Sequence, residues 1–194
     1  MKKFLTYMVM VVGVLSFSLY TEALAEDHRF FAGAGLSYAV EDFDDGDLKK
    51  FAGGDQIDNA WGFNLFGGYR LFKHLALEGN FNWYDDFGGK AGSIDFDVSI
   101  WTLMLDMKLI SPSLWEDRVF PYARIGGGYM SAEVDISGGN DTDDGSFAYD
   151  VGLGFDVFVK DHISVGLDGK RVWGTGDVRE FNHFVGTLRV GYHF

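Results

Sequence analysis

A regular alternation of apolar with polar or small residues limits the folds open to this chain. The last seven residues, LRVGYHF, alternate Leu, Val, Tyr and Phe with Arg, Gly and His. A period of two is the pattern of a β-strand, because successive side chains of a strand point to opposite faces. The chain therefore ends inside a predicted strand, and the apolar face of that strand must meet either a protein core or lipid.

The same alternation recurs along the chain, and we predict eight strands from it. Within one of them the apolar residues change face near Ile100 and Trp101. This change predicts a β-bulge there, because one extra residue moves all later side chains to the other face. The predicted strands cover residues 30–40, 61–70, 74–85, 94–110, 119–134, 147–160, 163–173 and 183–194.

The connections between these strands alternate between long and short. This rhythm is typical of an up-and-down barrel in the outer membrane, whose loops are long outside and whose turns are short on the periplasmic side. We therefore predict an all-β fold, an eight-stranded antiparallel up-and-down transmembrane β-barrel with both termini on the periplasmic side. The long connections are residues 41–58, 86–93, 137–145 and 174–182.

A soluble barrel is the alternative, and it would place the apolar faces inside. The apolar faces here are nearly free of charge, whereas the opposite faces combine charges with many of the 27 glycines. Aromatic residues near strand ends are typical of the two interfacial girdles of a membrane barrel. Both features favour the membrane barrel. The aromatic residues are Tyr38, Trp61, Tyr69, Trp83, Tyr129, Trp173, Tyr192 and Phe194.

The first 25 residues have the pattern of a secretory signal peptide. Two lysines precede a long apolar run, which ends in the small-residue motif Ala23-Leu24-Ala25. An uncleaved membrane anchor is the alternative, but the run is slightly short of the roughly 20 residues that a spanning helix needs. We expect cleavage after Ala25, which leaves residues 26–194 as one exported barrel domain.

Composition excludes several classes of function. The chain has no cysteine, so disulfides, thiolate metal sites and cysteine nucleophiles are excluded. Its net charge of −13 argues against nucleic acid, whose binding proteins need basic patches. We expect no cofactor.

Several short motifs make the chain resemble a known family. The ending VGYHF, the segment PYARIGGGY (121–129), GGYR (67–70) and the eight-strand rhythm resemble the OmpA-like and Opa-like outer-membrane β-barrel proteins, the porin-like outer membrane protein β-barrel domain family. The resemblance covers Arg29 to Phe194. It implies the outer membrane of a Gram-negative cell. It also implies that Tyr192 and Phe194 form the signal that the outer-membrane assembly machinery reads.

Charged residues on the inward faces are the candidate functional site. Buried charges without partners are costly, so charges at one depth of a narrow lumen should pair. We expect Arg124 and Arg189 to be bridged by Glu78, Asp156 and Asp168 in a plug that largely closes the lumen. The whole lumenal network is Glu78, Asp106, Lys108, Arg124, Asp150, Asp156, Asp168, Lys170 and Arg189.

This network predicts a structural or surface-interaction role for the barrel. The alternative is a small-solute or ion porin that the same charges gate. Expected partners are outer-membrane lipid and lipopolysaccharide, and an extracellular partner is expected to contact the long loops.

An enzymatic role is a weaker alternative. Some small barrels that resemble this one modify lipid A with an outward-facing Ser and His. The one close pair here, His162 and Ser164, lies at a predicted periplasmic turn, and Ser164 points inward. His183 and His193 have no serine two residues away, so we predict no catalytic site.

Two acidic stretches offer oxygen ligands for a divalent cation. EDFDDGD (41–47) and NDTDD (140–144) lack the ligand spacing of an EF-hand loop. We therefore predict no metal site. Weak Ca²⁺ or Mg²⁺ binding beside lipopolysaccharide phosphates is the alternative.

Overall fold

Eight antiparallel strands close into a barrel in a computed structural model, which describes residues 29–42, 59–91, 94–115, 118–136 and 142–194. The predicted eight-stranded up-and-down fold is confirmed. The signal-peptide prediction for residues 1–25 lies outside the described residues. The strands are β1 (Phe30–Glu41), β2 (Ala60–Phe72), β3 (Leu75–Ala91), β4 (Ile94–Ile110), β5 (Val119–Ile136), β6 (Thr142–Lys160), β7 (Ile163–Gly174) and β8 (His183–His193).

In the part of the chain that the structure describes, no helix is long and apolar enough to cross a membrane.

The barrel closes where the first strand pairs with the last. The register runs from Phe31 opposite His193 to Glu41 opposite His183. The backbone N–H of Phe194 then donates to the carbonyl oxygen of Phe30 at 2.8 Å. The last strand therefore completes the hydrogen bonding of the first.

Strand alternation places the apolar face outside and the polar face inside. In β8 the outward Leu188 is 55% exposed, whereas the neighbouring inward Arg189 is 2% exposed. The same alternation holds along β8 from end to end. An exposed apolar face of this extent suits lipid rather than water.

The predicted β-bulge at Ile100 and Trp101 is wrong. β4 pairs with β5 in an unbroken register through this region. The register shift lies instead on the neighbouring strand β3, between Tyr84 and Phe87. Ile100 points inward like the polar residues below it, because the interior itself changes from polar to apolar at that depth.

Four strands extend beyond the others at one end of the barrel. β3 to β6 have 17, 17, 18 and 19 residues, whereas β1, β2, β7 and β8 have 12, 13, 12 and 11. Much of the predicted loops 86–93 and 137–145 therefore forms strand, since β3 continues to Ala91 and β6 begins at Thr142. We call this projecting part of β3 to β6, residues 86–91, 94–99, 133–136 and 142–143, the strand extension. Most of the predicted loop 41–58 lies outside the described residues.

The predicted loop 174–182 folds over the mouth of the barrel. It contains a short 3₁₀ turn, Gly176–Val178, in which Gly176 has a φ of 57° that favours glycine. Val178 and Phe181 are buried in the barrel interior. This connection therefore closes the mouth rather than standing free in solvent.

The inward position of Ile100 predicts the effect of shortening it. We expect Ile100→Ala to lower the free energy of unfolding by about 2–5 kcal/mol, because it leaves a cavity in a packed interior. Ser99→Ala on the opposite face is the control. It removes an exposed hydrogen bond to Asp85 and should change stability by less than about 1 kcal/mol. Urea unfolding in lipid vesicles measures both, and equal small effects would contradict the inward assignment.

Candidate functional site

The barrel interior is stacked in three layers. An upper apolar layer, at the end where β3 to β6 extend, includes Tyr84, Ile100, Met130 and Val178. A charged layer lies below it. The lower apolar layer, at the end that carries Phe30 and Phe194, consists of Phe31, Phe66, Ala76, Ile110 and Tyr122, with Phe120 packed against them.

Arg124 lies at the centre of the charged layer. Its guanidinium pairs with the Asp106 carboxylate, and it contacts Asp168 at 3.1 Å and Glu78 at 3.6 Å. All four residues are 4% exposed or less. Three carboxylates around one guanidinium supply the acceptors that a buried arginine needs.

Arg189 joins this cluster from the closing strand. It donates to Glu78 at 2.7 Å and to the Tyr122 hydroxyl at 3.4 Å. The Tyr122 hydroxyl in turn donates to Asp168 at 3.0 Å. The guanidinium carbon of Arg189 lies 3.7 Å from the centre of the Phe66 ring, within cation–π range. Glu78 thus bridges the two arginines, and Tyr122 connects Arg189 to Asp168.

Two lysines complete the pairing. Lys108 contacts Asp156 at 2.7 Å and Glu78 at 3.6 Å, and its ammonium lies 3.6 Å from the centre of the Tyr122 ring. Lys170 contacts Asp150 at 3.1 Å. Each lysine of the predicted network therefore has a carboxylate partner.

Uncharged amides extend the network sideways. Asn80 donates to Asp106 at 2.8 Å and to Glu78 at 3.1 Å. Asn64 donates to Asn80 at 3.2 Å and to Asn82 at 3.0 Å, and Asn82 donates to Thr102 at 2.9 Å. Asn80 thus helps to orient the two carboxylates that also pair with the arginines, and Asn64 helps to hold Asn80 in place.

Inward glycines make room for the long charged side chains. A Cβ atom at Gly126 would overlap the Asp106 carboxylate, and one at Gly154 would lie 2.6 Å from the Tyr122 ring carbon that bears the hydroxyl. The smallest residue is required at both positions because a neighbouring side chain lies across the backbone.

The observed plug differs from the expected one in its partners. Asp156, expected to bridge the arginines, contacts Lys108 and keeps 15% of its side chain exposed. Asp106 takes the place beside Arg124 that the sequence pattern assigns to Asp156. The buried members of the predicted network are Glu78, Asp106, Lys108, Arg124, Asp150, Asp168, Lys170 and Arg189.

One serine–histidine contact is not predicted by spacing along the sequence. Ser164 Oγ lies 2.9 Å from His193 Nε2, and both side chains are buried. The contact is diagonal, since Ser164 is opposite Gly191 in the β7–β8 register. A search for residues two apart in sequence cannot find it. The His193 ring also packs on Phe31 and Phe158, which enclose the pair.

A second residue absent from the predicted site is Arg171, which lies on the outward face of β7. The alternation of β7 could have predicted this position, because Arg171 falls on the same face of the strand as Val165 and Leu167. Its guanidinium pairs with the Asp42 carboxylate at the end of β1.

Within the described ranges, no group of three or more His, Cys, Asp or Glu residues is arranged to hold a metal ion. The acidic stretch 41–47 lies largely outside those ranges, and residues 142–144 of the stretch 140–144 lie within them.

Known proteins share both the sequence pattern and the fold. A family model described as outer membrane protein beta-barrel domain matches residues 9–194. The structure is similar to that of Neisserial surface protein A, with a TM-score of 0.64 and 19% identity over 85% of this chain and 97% of that one. No curated protein sequence matches the chain.

Two further outer-membrane barrels are similar in structure. Ail, the attachment invasion locus protein of Yersinia pestis, has a TM-score of 0.54 and 19% identity, over 86% of this chain and 97% of that one. The outer membrane protein OprG from Pseudomonas aeruginosa has a TM-score of 0.56 and 16% identity, over 85% and 95%. At these identities the likeness shows a shared fold.

The buried pairs predict a large effect of removing one partner. We expect Arg124→Met to lower the free energy of unfolding by about 3–5 kcal/mol, because it leaves Asp106 and Asp168 short of a cation in a buried site. Lys73→Met, in the exposed turn between β2 and β3, removes the same charge type and should change stability by less than about 0.5 kcal/mol. Denaturant unfolding of the refolded barrel checks both. An Arg124→Met protein as stable as the parent would contradict the assigned role.

Proposed function

Because the chain belongs to the outer membrane protein β-barrel domain family, we propose that it is a closed barrel that anchors an extracellular contact surface. The barrel lies in the outer membrane, with both termini on the periplasmic side and the strand extension outside. The observation that carries the proposal is the filled interior. An eight-stranded barrel has an interior just wide enough for side chains to fill it.

The charged layer supports a closed lumen because its charged side chains are paired with one another. A permeating solute would have to separate Arg124 or Arg189 from carboxylates that contact them within 3.6 Å. The apolar layers above and below fill the lumen with side chains such as Ile100, Met130 and Phe66, which offer no polar contact to an ion. Leaving buried charges unpaired is costly, so opening the lumen would be strongly unfavourable.

The strand extension supports a role at the cell surface. In its register Asp97 lies opposite Asp135, and Glu133 lies opposite Asp143. Like charges directly opposite each other destabilise a sheet. The presence of these opposed acidic residues favours a role in contact with a positively charged partner.

The descriptions of two similar structures agree with such a role. One is described as a surface protein and another as an attachment invasion locus protein. We assign no reaction to this chain, since the buried Ser164–His193 contact is enclosed by aromatic rings.

We further propose that the last strand carries the assembly signal. The outward Tyr192 and Phe194 rings pack edge to face with their centres 5.0 Å apart. Both are exposed on the lipid side of the strand that closes the barrel. Both rings therefore face outward, where the assembly machinery can contact them.

A gated porin is the second candidate, and one observation favours it. Eight buried side-chain polar atoms have no hydrogen-bond partner within the described part of the chain, and the four that do not belong to an arginine all lie in the lumen. Buried water commonly satisfies such groups, and a hydrated zone at this depth would shorten the dry part of the lumen. The four atoms are Tyr84 Oη, Asp106 Oδ1, Asp150 Oδ1 and His183 Nε2.

Conductance in a planar bilayer separates the two candidates. We expect the refolded parent to show no steady openings, and Glu78→Ala to stay closed because both apolar layers remain. Lys73→Ala, in an exposed turn, is the control for loss of charge outside the lumen. Steady openings of the parent whose size changes with Glu78→Ala but not with Lys73→Ala would establish the porin.

Shortening the strand extension tests the surface role. We expect replacement of residues 86–97 and 134–143 by short turns to leave the barrel folded and to abolish adhesion of cells that display it to immobilised basic peptides. A second variant replaces Asp97 and Asp135 by asparagine, which keeps the strands and removes two negative charges. We expect this second variant to weaken adhesion severalfold. Undiminished adhesion of the shortened variant would contradict the proposal.

A further inference from the structure

Arg171 is a charged residue on an apolar, lipid-facing surface. Its backbone neighbours across the sheet are Val151 and Phe184, and both are exposed on the outward face. The Arg171 side chain itself is 37% exposed. Charge on the lipid face of a membrane barrel is unfavourable unless it lies near the interface. The position of Arg171 therefore favours a contact with an anion at the membrane surface.

Aromatic residues fix the depth of this arginine. The outward Tyr149 and Trp173 rings stack with their centres 5.2 Å apart. They form the next outward-facing residue pair beyond Arg171, toward the outer end of the barrel. The Arg171 guanidinium lies 5.1 Å from the centre of the Trp173 ring and 4.8 Å from that of Phe184. Tyr and Trp mark the membrane–water interface of barrels. Arg171 thus lies at the level of the outer-leaflet headgroups.

Asp42 holds the guanidinium without enclosing it. The Asp42 side chain is 38% exposed, and it is the carboxylate paired with Arg171 in the part of the chain that the structure describes. Half-exposed pairs of this kind are weakly held. A phosphate carries more charge and matches the fork of a guanidinium, so it can share or replace this partner.

A shallow groove lies directly below Arg171. Gly169 and Gly186 are opposite each other on the outward face, one residue pair below Arg171 and Phe184. A Cβ atom at Gly186 would meet nothing within 4 Å, and one at Gly169 would meet only the Leu153 carbonyl oxygen at 3.9 Å. Glycine weakens a strand, and no neighbouring side chain in the described ranges requires it here. The two glycines therefore leave open, lipid-facing space.

We propose that this surface binds a phosphorylated glycolipid of the outer leaflet. Arg171 contacts a phosphate at the headgroup level, and an acyl chain lies in the groove over Gly169 and Gly186. Charge complementarity selects the headgroup, and the open space below it selects a lipid rather than a free anion. Tyr38 and Leu153, opposite the two glycines on the adjoining strands, flank the acyl chain.

Native mass spectrometry of the refolded full barrel tests the headgroup contact. The probe is a diphosphorylated, acylated glucosamine disaccharide (lipid A), compared with its phosphate-free form, phosphatidylglycerol and inorganic phosphate. We expect retention of one lipid A. Arg171→Gln should reduce that retention at least about tenfold, because a charge-assisted bidentate contact is lost. Arg179→Gln, an exposed loop arginine at the same end, should leave it unchanged.

Several outcomes would overturn the proposal. Equal retention of the phosphate-free lipid, or an Arg171→Gln protein that binds like the parent, removes the phosphate contact. Equal retention of phosphatidylglycerol removes the glycolipid, and full competition by inorganic phosphate reduces the site to a simple anion site. If Arg171→Gln fails to fold, Arg171→Lys keeps the charge but loses the fork, and its retention should fall between parent and zero.

The groove has a matched control elsewhere on the barrel. Gly186→Leu fills the proposed groove and should reduce lipid A retention severalfold. Gly79→Leu fills a similar outward space, where a Cβ atom would meet only the Gly67 carbonyl oxygen at 3.7 Å, and its outward neighbours along β3 are Leu77 and Phe81 rather than an arginine. We expect Gly79→Leu to bind like the parent. Equal effects of the two substitutions would remove the acyl chain from the site.

Discussion

The closed ladder of backbone hydrogen bonds is the constraint from which the other features of this barrel follow. Lipid offers no partner to an unpaired N–H or carbonyl group, so a sheet can cross a membrane only when its first and last strands pair. Here β1 and β8 pair along nearly their whole length, and Phe194 donates to Phe30 at the final position. Closure therefore requires β8 to pair with β1 and leaves a single outer face to meet lipid.

Closure with eight strands also dictates the interior. The lumen is too narrow to hold a wide column of water, so the inward side chains must fill it and satisfy one another. Arg124 and Arg189 do so by sharing Glu78. Inward glycines such as Gly126 leave space for these long side chains. The same narrowness that holds the barrel together leaves little room for a path through it.

A filled interior shifts the search for function to the outside of the barrel. Two outer features are not explained by barrel stability. The strand extension brings like charges into register, as at Asp97 and Asp135, and this arrangement destabilises a sheet. The lipid face carries Arg171 above the open pair Gly169 and Gly186. Each feature is unfavourable for the isolated barrel and becomes favourable with a partner of the right chemistry.

The number of strands, most of their faces and their up-and-down order are contained in the order of the amino acids. Alternation is a local property that neighbouring residues reveal, and it is enough to assign Glu78 and Arg124 to inward faces. Which charges meet is settled only in the assembled barrel. Asp156 pairs with Lys108 rather than with an arginine, and Ser164 meets His193 across a strand diagonal. These contacts depend on the register and tilt of all eight strands, which no single segment of sequence contains.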